Sequence, residues 1–322
     1  MSVNIIYSSG RFGNMMFQYS IGRLFAETHG YEFNRKNIPE KWRDVISVTE
    51  PKAGRVVDTP VIDIVDRCGC PWRNPNVKLE SSPLLDNFET TPPLAKYVFN
   101  SGTAERADIL TRYYDQVRGF FVTKNKFELG ENDLVMHIRL KDFLKNNKGI
   151  DQSFYLNVLK RQPYDNVYIV YENLECKLFQ DYCECFAKYK PKFISSSVGD
   201  DWNFIRSANH IACSNSTFAW WAGFLSDAKH VYLPGPGNTY TTEQSRVKYW
   251  LCLMYNNWGS YKINSCTPNT TEIVPSEPIV MKNVERRDLN RKVAPSWWNN
   301  AYHNKPLVVE FRNKYMKYKG EV

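Results

Sequence analysis

From Asp133 onward the chain alternates between two hydrophobic periods. Short runs rich in β-branched and aromatic residues, LVMHIR at 134–139, NVYIVY at 166–171, KFISSS at 192–197, HIACSN at 210–215 and HVYLP at 230–234, predict strands. Between them, 153–159, 175–188, 201–207 and 216–226 predict helices. Strand and helix in regular alternation, with short connections, predict a parallel sheet covered on both faces. Ligands of such sheets sit beyond the C-terminal strand ends. That rule carries HIR at 137–139 and SNST at 214–217 to one edge.

The start of the chain repeats the theme once. A β-rich run at 3–8 stops at Ser9-Gly10. Phe17, Ile21, Leu24 and Phe25 then fall at helical spacing, with Asn14 expected to cap the helix and Gly30 to end it. Residues 31–118 are less regular: short apolar pieces at 61–65 and 97–99 are separated by CGCPWRNPN and TTPP, which predict loops and short strands. Past 262 come three prolines by Pro278, the pair Trp297-Trp298 and the strand-like PLVVEF, with no repeat of fixed period.

Composition narrows the function classes. A chain of 322 residues with 43% apolar content has room for two ordinary domains. Its 20 Tyr, 18 Phe and 9 Trp suit an aromatic-rich core or a surface that stacks on sugar rings. The formal net charge of +8 comes from scattered bases, which favours small anionic ligands. No nucleic-acid module is recognisable, and the densest basic run, ERRDLNRK at 285–292, mixes its signs, so no nucleic-acid partner is expected. No apolar run approaches the roughly 18 residues of a spanning helix, and MSVNIIYSSGRFGN has no signal-peptide pattern, so a cytoplasmic protein with no integral membrane segment is expected. The eight cysteines include no Cys-x-x-Cys pair, so reduced thiols and no metal site are expected.

The stretch CSNSTFAWWAGFL at 213–225 sets hydroxyls and an amide directly before an apolar helix. Ser, Asn and Thr cap helices; they also line the anion sites that free first-turn N–H groups create. Two further stretches bear on the choice: Gly10-Arg11-Phe12-Gly13-Asn14, and His137-Ile138-Arg139-Leu140-Lys141-Asp142. Together with GDDWNFIRSANHIACSNSTFAWW at 199–221, they resemble the α-1,2-fucosyltransferases of glycosyltransferase family 11, and more distantly the α-1,6- and protein O-fucosyltransferases. The family pattern runs G-x-x-G-N, H-x-R-R-x-D, an acidic pair, then S-N-S-T-F-x-W-W. The resemblance covers residues 3–30 and about 133–235.

That resemblance implies an α/β fold of the GT-B kind, two Rossmann-like domains facing a cleft. It places an acceptor-side domain at 1–120 and a nucleotide-sugar-binding domain at 121–262, with 263–322 a C-terminal extension that packs back on the body or binds a partner. The donor would be GDP-β-L-fucose and the acceptor an oligosaccharide hydroxyl, with no cofactor. The sequence contains no Asp-x-Asp metal-binding pattern. Arg139, whose guanidinium can grip phosphate through two parallel bonds, is the expected replacement. Ser216 and Thr217, at the start of a helix on the same edge, are expected to complete a diphosphate clamp. The resemblance assigns His137 to the nucleotide or its phosphates. It also assigns Asp201 to guanine, whose N1–H and N2–H₂ a carboxylate can accept together. Helix capping is the rival role for Asp201. Gly10, Gly13 and Asn14 are expected to form a tight loop in which glycines admit close backbone approach and the Asn amide donates to the diphosphate or the glycosidic oxygen. Trp220 and Trp221 read as core. Asp142 is the carboxylate of the HIRLKD motif, either a general base for the acceptor or a support for Arg139.

One departure stands out. The second Arg of H-x-R-R-x-D is Leu140 here. Lys141 does not simply replace it, because neighbours on a strand point to opposite faces. The expected activity is inverting, metal-independent transfer of L-fucose with formation of an α-1,2 linkage. Its rivals are transfer from another nucleotide-sugar donor, for which Leu140 is the motive, and non-catalytic carbohydrate binding.

Overall fold

The computed structural model describes residues 3–6, 12–34, 42, 45, 47–64, 82–100, 106–122, 126–140, 150, 152–172, 177–214, 216–234 and 270–274. In the first part of the chain, β1 (Val3–Ile6) leads into α1 (Phe12–His29), followed by β2 (Ser47–Val48), β3 (Val61–Ile64), α2 (Pro83–Asp86), β4 (Lys96–Asn100), α3 (Ala107–Arg112), α4 (Tyr114–Arg118) and β5 (Phe121–Val122). β1, β4 and β3 form a parallel sheet in the order β1-β4-β3. Single parallel bridges from Val3 to Phe33 and from Tyr31 to Arg55 continue it beyond β1. Gly30 ends α1 with φ of 69°, the left-handed conformation that glycine adopts without a Cβ clash.

The second part supplies β6 (Leu134–Ile138), α5 (Gln152–Leu159), β7 (Val167–Tyr171), α6 (Lys177–Phe186), β8 (Lys192–Ile194), α7 (Val198–Arg206), β9 (His210–Ala212), α8 (Thr217–Phe224), β10 (His230–Pro234) and β11 (Thr270–Val274). All six strands pair in parallel in the order β11-β10-β9-β6-β7-β8. Counted from β6 as strand one, that order reads 6-5-4-1-2-3, a doubly wound Rossmann-like sheet whose strand order reverses between β6 and β9. β11 lies within 263–322, so these five residues of the expected extension belong to the sheet; the rest of that extension, with Trp297, Trp298 and PLVVEF, lies outside the described residues.

Alternation along β6 sorts the two faces. Leu134, Met136, Ile138 and Leu140 join the apolar cluster of Phe154, Tyr155 and Val158 from α5 and Phe179, Tyr182 and Phe186 from α6. Val135 faces the other way, into a cluster that also holds Trp202, Ile211, Trp221 and Val231 and runs without a break into Phe25 of α1 and Ile5 and Tyr97 of the first sheet. His137 and Arg139 share Val135's parity and leave the sheet on that side.

The element joining the sheets is α1, buried from Phe12 to Ala26 except at the half-buried Asn14. A helix with no exposed face is one packed from every side. Toward the first sheet Gly22 lies against Ile5; toward α8, Phe17 meets Trp220 at 5.0 Å and Trp221 at 4.9 Å between ring centroids. Its one buried cation, Arg23, bonds to Glu27, to Tyr19, to the Thr49 carbonyl and hydroxyl, and to the Glu50 carbonyl. Trp220 and Trp221 are core residues, 4% and 0% exposed.

Two helix starts differ from the pattern in the sequence. α1 begins at Phe12, so Gly13 and Asn14 lie inside its first turn and do not form a loop or cap. α7 begins three residues before Asp201, because Ser197 caps it: Ser197 Oγ accepts from the Asp200 N–H at 3.1 Å and donates to Asp200 Oδ2 at 2.8 Å. Those serines therefore leave β8, which stops at Ile194. Among the described residues no helix is long and apolar enough to cross a membrane.

Trp221→Ala tests the joint between the sheets. The indole is fully buried against Phe17, Phe121 and Phe224. Its removal is expected to lower unfolding stability by about 3–5 kcal/mol, read from the midpoint of urea denaturation. A loss under about 1 kcal/mol would mean that α1 and α8 close up without it.

Candidate functional site

The reversal of strand order opens a crevice between the C-terminal ends of β6 and β9, and the motif residues converge there. His137 is the penultimate residue of β6, with Arg139 just beyond; Ser214 follows β9, and Ser216 is the N-cap residue of α8. Two hydrogen bonds tie the strand ends together: His137 Nδ1 and Ser214 Oγ share one of 2.7 Å, and Arg139 Nη1 donates to Ser216 Oγ at 3.0 Å. Ser216 makes no side-chain cap bond to α8. Its hydroxyl is turned to Arg139 instead, and the first N–H groups of α8 have no intrahelical acceptor.

From the other side comes α1. Thr217 Oγ1 donates to Asn14 Oδ1 at 2.9 Å. A Cβ on Gly13 would lie 2.6 Å from the Thr217 carbonyl carbon and 2.7 Å from the Phe218 nitrogen, so only glycine lets the two first turns meet this closely. The pair therefore acts as a buttress. Gly13 admits the backbone of α8, and Asn14 holds the Thr217 hydroxyl.

A cleft of about 270 Å³ opens over this junction, lined by Phe12, Gly13, Trp42, His137, Arg139, Val170, Tyr171, Glu172, Ser195, Ser196, Val198, Asp201, Thr217 and Phe218. Arg139 is the single cationic side chain among these, 8% exposed. Glu172, directly after β7, brings Oε1 to 3.9 Å from Arg139 Nε. Asp201 Oδ1 accepts from the Ser196 N–H at 2.8 Å, which folds the 195–197 turn against the first turns of α7. The capping role belongs to Ser197 with Asp200, leaving Asp201 at the cleft wall. Ser216 is fully buried behind Arg139 and does not line the cleft; Thr217 does. Of the expected clamp, Thr217 faces the cleft while Ser216 holds the arginine.

Burial decides the protonation of the imidazole. With water excluded and the Arg139 charge nearby, His137 is pushed down to about 3, so the ring is neutral at any ordinary pH. It can offer one N–H and one lone pair but no positive charge. The Cys213 thiol, buried and next to Ser214 in sequence, is pushed up to about 12 and is no nucleophile near neutrality. Among the described residues no group of three or more His, Cys, Asp or Glu side chains is placed to hold a metal ion. Gly10, Arg11, Lys141, Asp142 and Asn215 lie outside the described residues.

Glu172 and Trp42 line the cleft without belonging to any quoted motif. Glu172 had a signal, since it is the first residue past a predicted strand and so sits at the ligand edge. Trp42 had none: it reaches the cleft by packing on Phe12 at 5.1 Å from a region without clear periodicity.

A folded pKa near 3 against an unfolded value of about 6.5 means that the unfolded chain takes up a proton first as pH falls. The contribution of His137 to stability is therefore complete above about pH 6.5 and lost steadily below it, amounting to about 2 kcal/mol by pH 5. Urea unfolding of the unmodified chain and of His137→Gln at pH 7, 6 and 5 is expected to show a shallower decline in the variant. Parallel pH slopes would mean that the buried ring protonates freely.

No protein-family model, curated protein or solved structure matches the chain, and the site is therefore defined by its own residues.

Proposed function

We propose that the chain is an inverting, metal-independent glycosyltransferase of GT-B architecture that moves L-fucose from GDP-β-L-fucose to a sugar hydroxyl of an oligosaccharide acceptor, forming an α-1,2 linkage. The observation that carries this reading is the bond between Arg139 and Ser216 at the point where the strand order reverses. In doubly wound sheets that crevice is where nucleotides bind, and here it presents a guanidinium and a helix N-terminus together.

The chemistry asks for what those groups supply. As the glycosidic bond breaks, negative charge grows on the departing diphosphate, and fixed positive groups that meet it lower the barrier. Arg139, held by Ser216 and close to Glu172, needs little reorganisation to do so. Inversion requires one in-line displacement with oxocarbenium-like character, and Asp142 is the motif carboxylate available as base for the acceptor hydroxyl. Phe12, Trp42 and Phe218 give the cleft an aromatic wall, suited to the apolar face of a sugar.

Leu140 favours a second reading. It is 2% exposed and packs in the cluster on the far face of the sheet, so the position that carries the second cation of the family pattern puts no charge into the cleft. A donor other than GDP-fucose on the same scaffold is the reading that this motivates.

Arg139→Ala is expected to keep the fold and lower transfer at least about a hundredfold, since it removes the cleft's one described cation where transition-state charge collects. Arg139→Lys restores only part, having a point charge without the fork. Turnover of labelled GDP-fucose with an acceptor array, EDTA present, measures both; undiminished transfer by the alanine variant removes Arg139 from the mechanism.

The base is tested by calorimetry. GDP is expected to bind more tightly than UDP or ADP. Asp201→Asn, which keeps an acceptor for the Ser196 N–H, should weaken GDP by about tenfold or more and leave UDP little changed. Equal affinity of the unmodified chain for GDP and UDP turns the assignment to the other-donor reading.

A further inference from the structure

We infer that Ser214 is a positioning residue: its hydroxyl donates to His137 Nδ1, holds the imidazole in the tautomer that carries its hydrogen on Nε2, and so gives the cleft an uncharged donor for a phosphate oxygen of the nucleoside diphosphate. The choice of tautomer stands on the structure alone, and its phosphate partner rests on the nucleotide-sugar reading above.

The 2.7 Å bond between Ser214 Oγ and His137 Nδ1 can run in either direction. A ring N–H can donate to the hydroxyl, or the hydroxyl can donate to the ring lone pair. The hydroxyl proton decides between them. Ser214 is 1% exposed, and among the described residues His137 is the one hydrogen-bond partner of its side chain. Were Nδ1 to carry the hydrogen, the serine proton would be buried with no acceptor, which is the costly arrangement. With that proton inside the bond, both groups are satisfied. The imidazole is neutral through burial, so the hydrogen it retains sits on Nε2.

Three contacts hold this geometry. The Tyr155 hydroxyl donates to the His137 carbonyl at 2.9 Å, and the Phe218 ring lies 5.6 Å from the imidazole between centroids. The Ser216 N–H donates to the Ser214 carbonyl at 2.7 Å, which fixes the turn that carries the hydroxyl.

His137 lines the cleft, and with Nδ1 engaged the polar atom it has left for a ligand is Nε2. Arg139 lines the same cleft from the same side of β6. An N–H there strengthens the hold of the guanidinium on an anion, because bonds to a charged acceptor are the strong ones. The opposite tautomer would present a lone pair and repel what Arg139 attracts. Ser214 does not line the cleft, so it sets the sign of this contact without touching the ligand.

The experiment reads the tautomer directly. Two-dimensional NMR of the full chain labelled with nitrogen-15 histidine, with the His137 signal assigned by its loss in His137→Gln, distinguishes a ring nitrogen that carries hydrogen from one that does not. The expected spectrum of the unmodified chain at pH 7 has hydrogen on Nε2 of His137 and none on Nδ1. In Ser214→Ala the signal should move toward a mixture of tautomers. By calorimetry that variant should bind GDP about threefold to tenfold more weakly and guanosine, which has no phosphate, equally well. Hydrogen on Nδ1 in the unmodified chain overturns the inference and leaves the nucleotide reading standing. An equal loss for GDP and guanosine overturns the phosphate contact, the mark of a serine that only supports the fold. Absence of any GDP binding overturns the nucleotide reading and the phosphate contact with it, while the tautomer stands or falls on the spectrum.

Discussion

The first turn of α1 lies against the first turn of α8 at backbone distance, and the cleft depends on that contact. A single added carbon at Gly13 would reach within 2.6 Å of Thr217. Helix axes held apart by side chains stand about 8–10 Å from one another; a glycine brings the chains in closer and lets Asn14 and Thr217 share a short bond. The aromatic packing of Phe17 on Trp220 and Trp221 continues the joint one turn further. Because α8 starts at the sheet's crevice, fixing its first turn also fixes Ser216, and Ser216 in turn holds Arg139. The guanidinium is thus positioned by a chain of contacts that reaches back to residue 13.

Charge in the cleft is sparse and fixed. The ring of His137 is neutral through burial, and Glu172 and Asp201 contribute negative charge opposite Arg139. Among the described residues an anion is therefore favoured where the guanidinium and the first-turn amides of α8 come together; a few residues along the edge the same anion would meet carboxylates. An elongated ligand would match that gradient with an anionic end over β6 and β9 and hydrogen-bond donors over β7 and β8.

Much of the sheet was legible in the sequence, because strand and helix periods in the second half of the chain are short, clean and separated by turn residues. Five predicted strands all form, each ending within a few residues of its expected limit. The edge that carries HIR and SNST followed from parallel topology alone. What stayed hidden depends on distance through space. No period in 31–118 announces Trp42 as a cleft residue, and nothing local says that β7 lies next to β6, which is what brings Glu172 beside Arg139. Gly13 looked like a loop glycine and is a helix-contact glycine; the two requirements, free φ and missing Cβ, are indistinguishable in a one-letter code. The burial that discharges His137 likewise comes from elements distant in the chain.

The last described strand has a bearing on how the molecule survives among its own copies. β10 is apolar and buried over Val231–Leu233, as strands inside a parallel sheet are. Its outer row of N–H and C=O groups is paired by β11, five residues from beyond position 262. Strip that strand away and β10 becomes a flat, uncharged border, the kind of template on which a second chain adds itself and a third follows. Val274 and its four predecessors thus insulate the six-stranded sheet from self-recruitment, and a shortened chain would betray their loss first as turbidity.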